Sequence, residues 1–392
     1  MNTEKKLVPS LRFPAFIQDG EWKEYRLSNI AQLYKGKGIS KNDVSDNGAI
    51  PCIRYGELYT HYREVIDKVT SYTDLPIDDL FMSKANDVII PSSGETKEDI
   101  ATASCVLHDN VALGGDINVI RTSNNGVFLS YYLNNAKKHD IAKIAQGISI
   151  IHLYNEQLRN LSIEQPGLKE QQKIAECLSS IDSYISSINE KVEQLNAHKK
   201  SLFQKLFPQD SKTVPTCRFS EFQEDSAWKK REFKEIIKVN SGRDYKHLSS
   251  GNVPVYGTGG YMLSVDGKLS DRDAVGIGRK GTIDRPQYLK APFWTVDTLF
   301  FLTNCDGYDI EFIYYLSQII QWKKYGEQTG VPSLSKNSIE KLEVVVPTNI
   351  KEQKKIACAL SSLDEEITLL KKKVFLLESH KNGLMQQLFP KN

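Results

Sequence analysis

Two stretches of the 392-residue chain carry apolar side chains alternately four and three residues apart. The first runs through Ile174, Leu178, Ile181, Ile185, Ile188, Val192 and Leu195, then resumes at Leu202 and Leu206. The second runs through Ile356, Leu360, Leu363, Ile367, Leu370, Val374 and Leu377, then resumes at Leu384 and Leu388. Lys199 and Lys381 break the two series at corresponding places. A 3.5-residue period sustained over more than four heptads lays one apolar stripe along one helix face and predicts coiled-coil pairing. A helix of about 38 residues is roughly 57 Å long. Pro166-Gly167 and Pro347-Thr348-Asn349 mark the starts, with Asn349 a candidate N-cap, and Pro208 and Pro390 mark the ends. The remaining sequence is rich in short apolar runs punctuated by glycine, the pattern of strands and turns.

The two stripes belong to an internal repeat. EQQKIAECLSSID from Glu170 and EQKKIACALSSLD from Glu352 share nine of thirteen residues at an offset of 182. The same offset aligns SLFQKLFP from Ser201 with GLMQQLFP from Gly383, and His198-Lys199 with His380-Lys381. A second echo, at an offset of 206, aligns VPSLRFPAF from Val8 with VPTCRFSEF from Val214, and Trp22 with Trp228. Between these boxes the halves are unlike. Each half therefore reads as a start box, a divergent domain and a shared helix.

Burying nine large side chains contributes about 1.5–3 kcal/mol each, and ordering the backbone of so long a helix costs at least as much at about 1–2 kcal/mol per residue. Neither helix should persist alone, so they pair. Antiparallel pairing is expected, because the second divergent domain must leave the end of one helix and return to the start of the other. Each start box would then lie near the end of one helix and the start of the other. The expected architecture is α+β: two α/β domains separated by an antiparallel coiled coil of two long helices, pseudo-twofold symmetric. The expected segments are 1–168, 169–207, 208–349 and 350–392, alternately domain and helix.

Composition removes some classes. No run of eighteen apolar residues is present, and the first ten residues lack a secretory apolar core. Six cysteines, none in a C-x-x-C pair, read as reduced thiols of a cytoplasmic protein. Histidine spacing suggests no metal, and neither a phosphate loop nor G-x-G-x-x-G is found. Net charge is only +2, and residues 1–168 carry 18 basic against 21 acidic side chains. Bulk charge thus argues mildly against a nucleic-acid binder, whose basic surface would have to be local.

The plan of variable domain, P-x-x-K-E-Q-x-K-I-A helix, second variable domain and repeated helix resembles the specificity subunits of bacterial type I restriction-modification systems. The residues that carry the resemblance are Pro166 through Gln171, Pro347 through Gln353, the strands Leu161–Glu164 and Leu342–Val346, and Leu-Phe-Pro at each helix end. It implies that each divergent domain is a target recognition domain reading one part of a bipartite site in double-stranded DNA. The helices would set the gap and dock two modification (methyltransferase) subunits. S-adenosylmethionine would sit on those partners, and restriction or translocase subunits could join them. The chain itself would be non-catalytic, and no N-P-P-[YF] or D-P-P-Y segment is found.

Candidate DNA contacts lie in polar, glycine-containing loops, where Arg and Lys can meet phosphates or guanine edges and hydroxyls add adaptable bonds. In the first domain these are Lys35, Lys37, Arg54, Tyr55, Ser93 and Lys97. In the second they are Arg243, Lys246, Tyr256, Thr258, Arg279 and Lys280. Glycines there are expected to let the backbone approach phosphates. His198 and His380 read as structural residues flanking the stripe. Two other classes stand beside this reading: a coiled-coil scaffold whose heads bind proteins, and an enzyme with an unrecognised site.

Overall fold

The computed structural model describes residues 7–209, 212–326 and 332–390. The chain forms two compact units, Met1–Asn189 with Lys372–Asn392, and Glu190–Lys371. Each unit takes a divergent domain together with part of both long helices, so the units cut across the helices and do not stop at their ends.

In the first unit, β1 (Ala31–Lys35), β5 (Ile117–Thr122) and β3 (Asp87–Pro91) lie side by side in a five-stranded sheet, with β5 antiparallel to both neighbours. A smaller sheet holds β2 (Ile50–Ile53) parallel to β4 (Ala112–Leu113). The unbroken apolar run of β3 follows from burial on both faces. Val88 and Ile90 point into a core shared with helix α1 (Gly126–Asn135), while Ile89 joins Ile53, Leu113 and Val119 in a core beneath the smaller sheet. Asn125 caps α1 by accepting the Phe128 N–H at 2.7 Å. The long helix α2 (Leu168–Leu206) enters this unit with its first half.

The second unit repeats the plan. β6 (Ile237–Ser241), β10 (Leu299–Asn304) and β8 (Ala274–Gly278) are neighbours in that order, and β7 (Ser250–Gly257) pairs in parallel with β9 (Trp294–Thr295). Asp309 caps α3 (Ile310–Ile319) as Asn125 caps α1, accepting the Phe312 N–H at 2.9 Å. The second long helix, α4 (Ile350–Leu388), begins at Asn349, whose side chain accepts the Lys351 N–H at 3.0 Å.

The repeated boxes form a joint in each unit. In the first, Arg12 forks onto Glu170 at 2.8 and 2.7 Å, the Leu11 N–H donates to Gln387 O, and Phe389 packs edge-on against Trp22, Phe128 and Tyr132. In the second, Arg218 forks onto Glu352 at 2.7 Å twice, the Cys217 N–H donates to Lys205 O, and Phe207 packs on Trp228 and Phe312. Gln171 and Gln353 each accept the N–H of the residue capping the nearby short helix and donate to the carbonyl of Pro166 or Pro347. The Glu-Gln of the repeat and its terminal Leu-Phe-Pro are therefore the two halves of one joint, with the start box between them.

Within each unit the two helices run antiparallel. Asp182 meets Lys381 and Tyr184 meets Lys373 in the first unit; Lys191 meets Glu366 and Lys199 meets Asp364 in the second. Ile174 and Leu178 share a core with Met385 and Leu388, and Ile356 and Leu360 share one with Leu206 and Phe207. Ile185, Ile188, Val192 and Ile367 are buried, whereas Ile181, Leu195, Leu363, Leu370, Val374 and Leu377 are half-buried.

The two lysine breaks have a physical cause. Lys381 Nζ lies 2.7 Å from both Asp182 oxygens, 3.2 Å from Glu64, and over the Tyr131 ring at 5.1 Å. Tyr131 donates to Asp182. At the equivalent place Lys199 reaches Asp364 at 2.5 Å, and Tyr315 donates to Asp364 at 3.0 Å. Burial, reinforced by the neighbouring aspartate, pushes both phenols well above the usual tyrosine range, which keeps them as neutral donors. His198 and His380 are exposed on their helices. All six cysteines are free thiols. Among the described residues no helix is long and apolar enough to cross a membrane.

Candidate nucleic-acid interface

Of the candidate residues of the first unit, Lys37, Arg54, Tyr55 and Ser93 gather where the C-terminal ends of β1, β2 and β3 meet the segment 113–117. Antiparallel register sets Lys35 opposite Asn118 and Pro91 opposite Ile117, so the chain leaves β1 and β3 side by side at the N-terminal end of β5. Four backbone bonds fix the loops that follow. The Lys37 N–H donates to Leu113 O at 2.9 Å, Gly114 to Ile53 O at 2.9 Å, Ser92 to Asp116 O at 2.8 Å, and Leu153 to Ser92 O at 3.1 Å.

The second unit builds the same rim bond for bond. Arg243 donates to Thr295 O at 2.9 Å, Val296 to Tyr256 O at 3.0 Å, Arg279 to Thr298 O at 2.7 Å, and Leu334 to Arg279 O at 2.9 Å. Strand register closes the correspondence, since Ser241 lies opposite Phe300, Gly278 opposite Leu299, and Tyr256 opposite Thr295. Lys37 thus corresponds to Arg243, Arg54 to Gly257, Tyr55 to Thr258, Ser92 to Arg279 and Ser93 to Lys280. The sequence halves show no such correspondence by eye, because the loops between these strands differ in length.

Two glycines of this rim, Gly36 and Gly242, serve the fold. A Cβ on Gly36 would stand 2.1 Å from Gly114 O, and one on Gly242 would stand 1.9 Å from Val296 O. Glycine is required there because the loop crosses a carbonyl of its own unit. Gly36 and Gly242 are thus needed by the fold itself.

Side chains on the rim differ in how free they are. Lys37 is exposed, and its Nζ donates to Asp78 O at 2.8 Å. Arg54 is half-buried. Glu57 accepts its backbone N–H at 2.7 Å and lies 3.8 Å from its guanidinium, while Arg54 Nε has no partner among the described residues. Tyr55 is exposed and packs edge-on against Tyr59, whose hydroxyl donates to Ser93 O at 2.7 Å. Burial and nearby Asp99 push the Tyr59 phenol up, so it stays a donor. Arg243, Arg279 and Lys280 are exposed. The Arg279 guanidinium lies 5.8 Å from the Phe300 ring centroid, and the Lys280 backbone bridges to Ser333. Thr258 is half-buried, its carbonyl accepting Gln287 Nε2 at 3.1 Å. Tyr256 takes the place of buried Ile53 and lies edge-on to Tyr261. Lys35, Lys97 and Lys246 are exposed but outside the four-bond network. Lys97 opens a short helix capped by Thr96.

Sequence reasoning missed Tyr59, His152, which approaches Ser93 Oγ at 3.4 Å, and the adjoining loop, where Ile148 is 98% exposed. Only strand register could have found them. It also missed Asp182 and Asp364, although the repeat offset aligns these two as it aligns Lys199 with Lys381.

A family model described as the type I restriction modification DNA specificity domain matches residues 19–197 and 225–378. The specificity subunit of the type I restriction enzyme MjaVIII of Methanocaldococcus jannaschii is 24% identical over 298 residues, 66% of this chain and 68% of that protein. The putative MjaX specificity subunit of the same organism is 25% identical over 311 residues, 70% of each chain. Both come from an archaeon, so the relatives are not confined to the bacterial setting that the resemblance implies. The crystal structure of a type I restriction-modification S subunit from M. genitalium aligns with a TM-score of 0.72 at 19% identity, covering 98% of this chain and all of that one. It shares the fold.

Proposed function

The chain belongs to the type I restriction-modification DNA specificity family, and from that premise we propose that its two units read the two parts of a split site in duplex DNA. The observation that carries this reading is the pair of rims: one backbone frame, held by four matching hydrogen bonds, presents unlike side chains in the two units. A protein reading two different sequences with related domains needs that combination, since the frame positions and the side chains specify. The long helices, 39 residues each and about 58 Å, act as the spacer and as the docking surface for two methyltransferase subunits. In this proposal S-adenosylmethionine and the adenine chemistry belong to those partners, the chain is non-catalytic and cytoplasmic, and restriction or translocase subunits complete the assembly.

The near-neutral charge favours one other reading, a scaffold whose heads bind proteins. One experiment separates them. The full chain is purified with its associated subunits and offered a library of randomised duplex DNA. The expected result is enrichment of a motif with two fixed parts and an unspecified gap. Recovery without any enriched motif would overturn the DNA reading and leave the scaffold.

A further inference from the structure

Resting on the DNA-reading proposal, we propose that Lys37 and Arg243 are sequence-independent phosphate clamps, while Arg54 in the first unit and Arg279-Lys280 in the second are the guanine-reading positions. The two units supply their own control. At three corresponding loops the backbone is held alike, so differences in side chain are differences in what the loop can contact.

At the first loop the residue is cationic in both units, Lys37 and Arg243, and exposed in both. A phosphate looks the same under every base pair, so two heads reading unlike sequences can both keep a contact to it. At the second loop the first unit has Arg54-Tyr55 where the second has Gly257-Thr258. At the third the first unit has Ser92-Ser93 where the second has Arg279-Lys280. Each head therefore carries its cationic reader on one of these two loops, and on a different one. Arg and Lys are donors only, matched to the paired acceptors of guanine O6 and N7. The Arg54 side chain keeps 26% of its surface exposed beside Glu57, and Arg279 is exposed over Phe300, so each guanidinium presents N–H donors at the rim. Ser93 can give and accept and discriminates less.

The test uses the full chain with its associated subunits and the same randomised duplex library. Four variants are compared: Lys37→Gln, Arg243→Gln, Arg54→Gln, and the double substitution Arg279→Ser with Lys280→Ser. Both clamp variants should enrich the unchanged motif in both halves. Each should bind severalfold more weakly and lower the slope of log affinity against log salt by about 0.9. Arg54→Gln should relax one half-site only, and the Arg279/Lys280 double variant the other half-site only, each losing roughly 5- to 150-fold discrimination against the wrong base. A thermal melt confirms folding. If Arg54→Gln does not fold, Arg54→Lys keeps the charge, lacks the two-pronged fork, and should relax the same position. The inference is overturned if the unsubstituted protein enriches a two-part motif while the reader variants leave it intact, or if a clamp variant changes a base preference. If the unsubstituted protein enriches no motif, the DNA reading itself falls and takes this inference with it.

Discussion

Replacing Glu170 with alanine should destabilise the first unit far more than an ordinary surface substitution. The carboxylate is 3% exposed and takes both prongs of Arg12, itself 7% exposed, at 2.8 and 2.7 Å. Its loss leaves a buried guanidinium whose remaining bond is to Gly20 O. Breaking such a pair costs about 3–5 kcal/mol, because an uncompensated charge stays buried. In a unit of about 210 residues, about 2–4 °C per kcal/mol converts this to a fall of roughly 6–20 °C in that unit's melting temperature. The equivalent Glu352→Ala should cost about 1 kcal/mol more in the second unit, since Glu352 also accepts Trp228 Nε1 at 3.1 Å, whereas Trp22 Nε1 has no partner among the described residues. The assay is calorimetry or denaturant melting with hydrogen exchange to assign each transition to its unit. Replacing Arg12 and Glu170 together with Met and Leu should recover most of the loss. A fall under about 2 °C for Glu170→Ala, or a double variant no better than the single one, would refute this account of the joint.

Three further outcomes follow from the packing. Lys381→Met should destabilise the first unit by about 2–4 kcal/mol by stranding Asp182 and Glu64, and adding Asp182→Asn should restore part of it, read by chemical denaturation. Gly36→Ala and Gly242→Ala, whose new methyl groups would stand within 2.1 Å of a carbonyl oxygen, should each cost about 1–3 kcal/mol and displace the rim, read by melting together with DNA retention. Stability should fall as pH rises above about 9. Burial pushes the Cys52 and Cys105 thiols to about 11 and about 12, so the unfolded chain loses these protons first and the folded state gives up stability until the folded values are passed. Cys52→Ala with Cys105→Ala should flatten that fall, and an unchanged alkaline slope would contradict it.

Much of the frame was legible because helices of this length advertise themselves. The stripes from Ile174 and Ile356, the Pro and Asn349 punctuation, and the connectivity argument lead directly to two antiparallel helix segments in each unit, with a start box between one helix start and the other helix end. The lysine breaks were visible, but their partners were not. Asp182 and Asp364 sit next to apolar positions, where a charge reads as solvent-facing until the other helix is placed. The rim was legible only as a set of polar glycine loops. Lys37, Arg54 and Ser93 are distant in sequence, and what unites them is the register of β5 against β1 and β3 together with that of β2 against β4. The role of Gly36 in the fold was hidden in the same way, because the carbonyls of Leu113 and Gly114 that exclude a Cβ there are distant in sequence.

The spacer role of the helices can be tested in one measurement. Residues 185–191 and 367–373, one heptad from each helix at matching repeat positions, are deleted together, and the motif enriched from randomised duplex DNA is compared with that of the intact chain. Both half-site sequences should be retained while the gap shortens by about three base pairs, the rise of seven helical residues divided by about 3.4 Å. The same half-sites at an unchanged gap would contradict a helix pair that sets their separation.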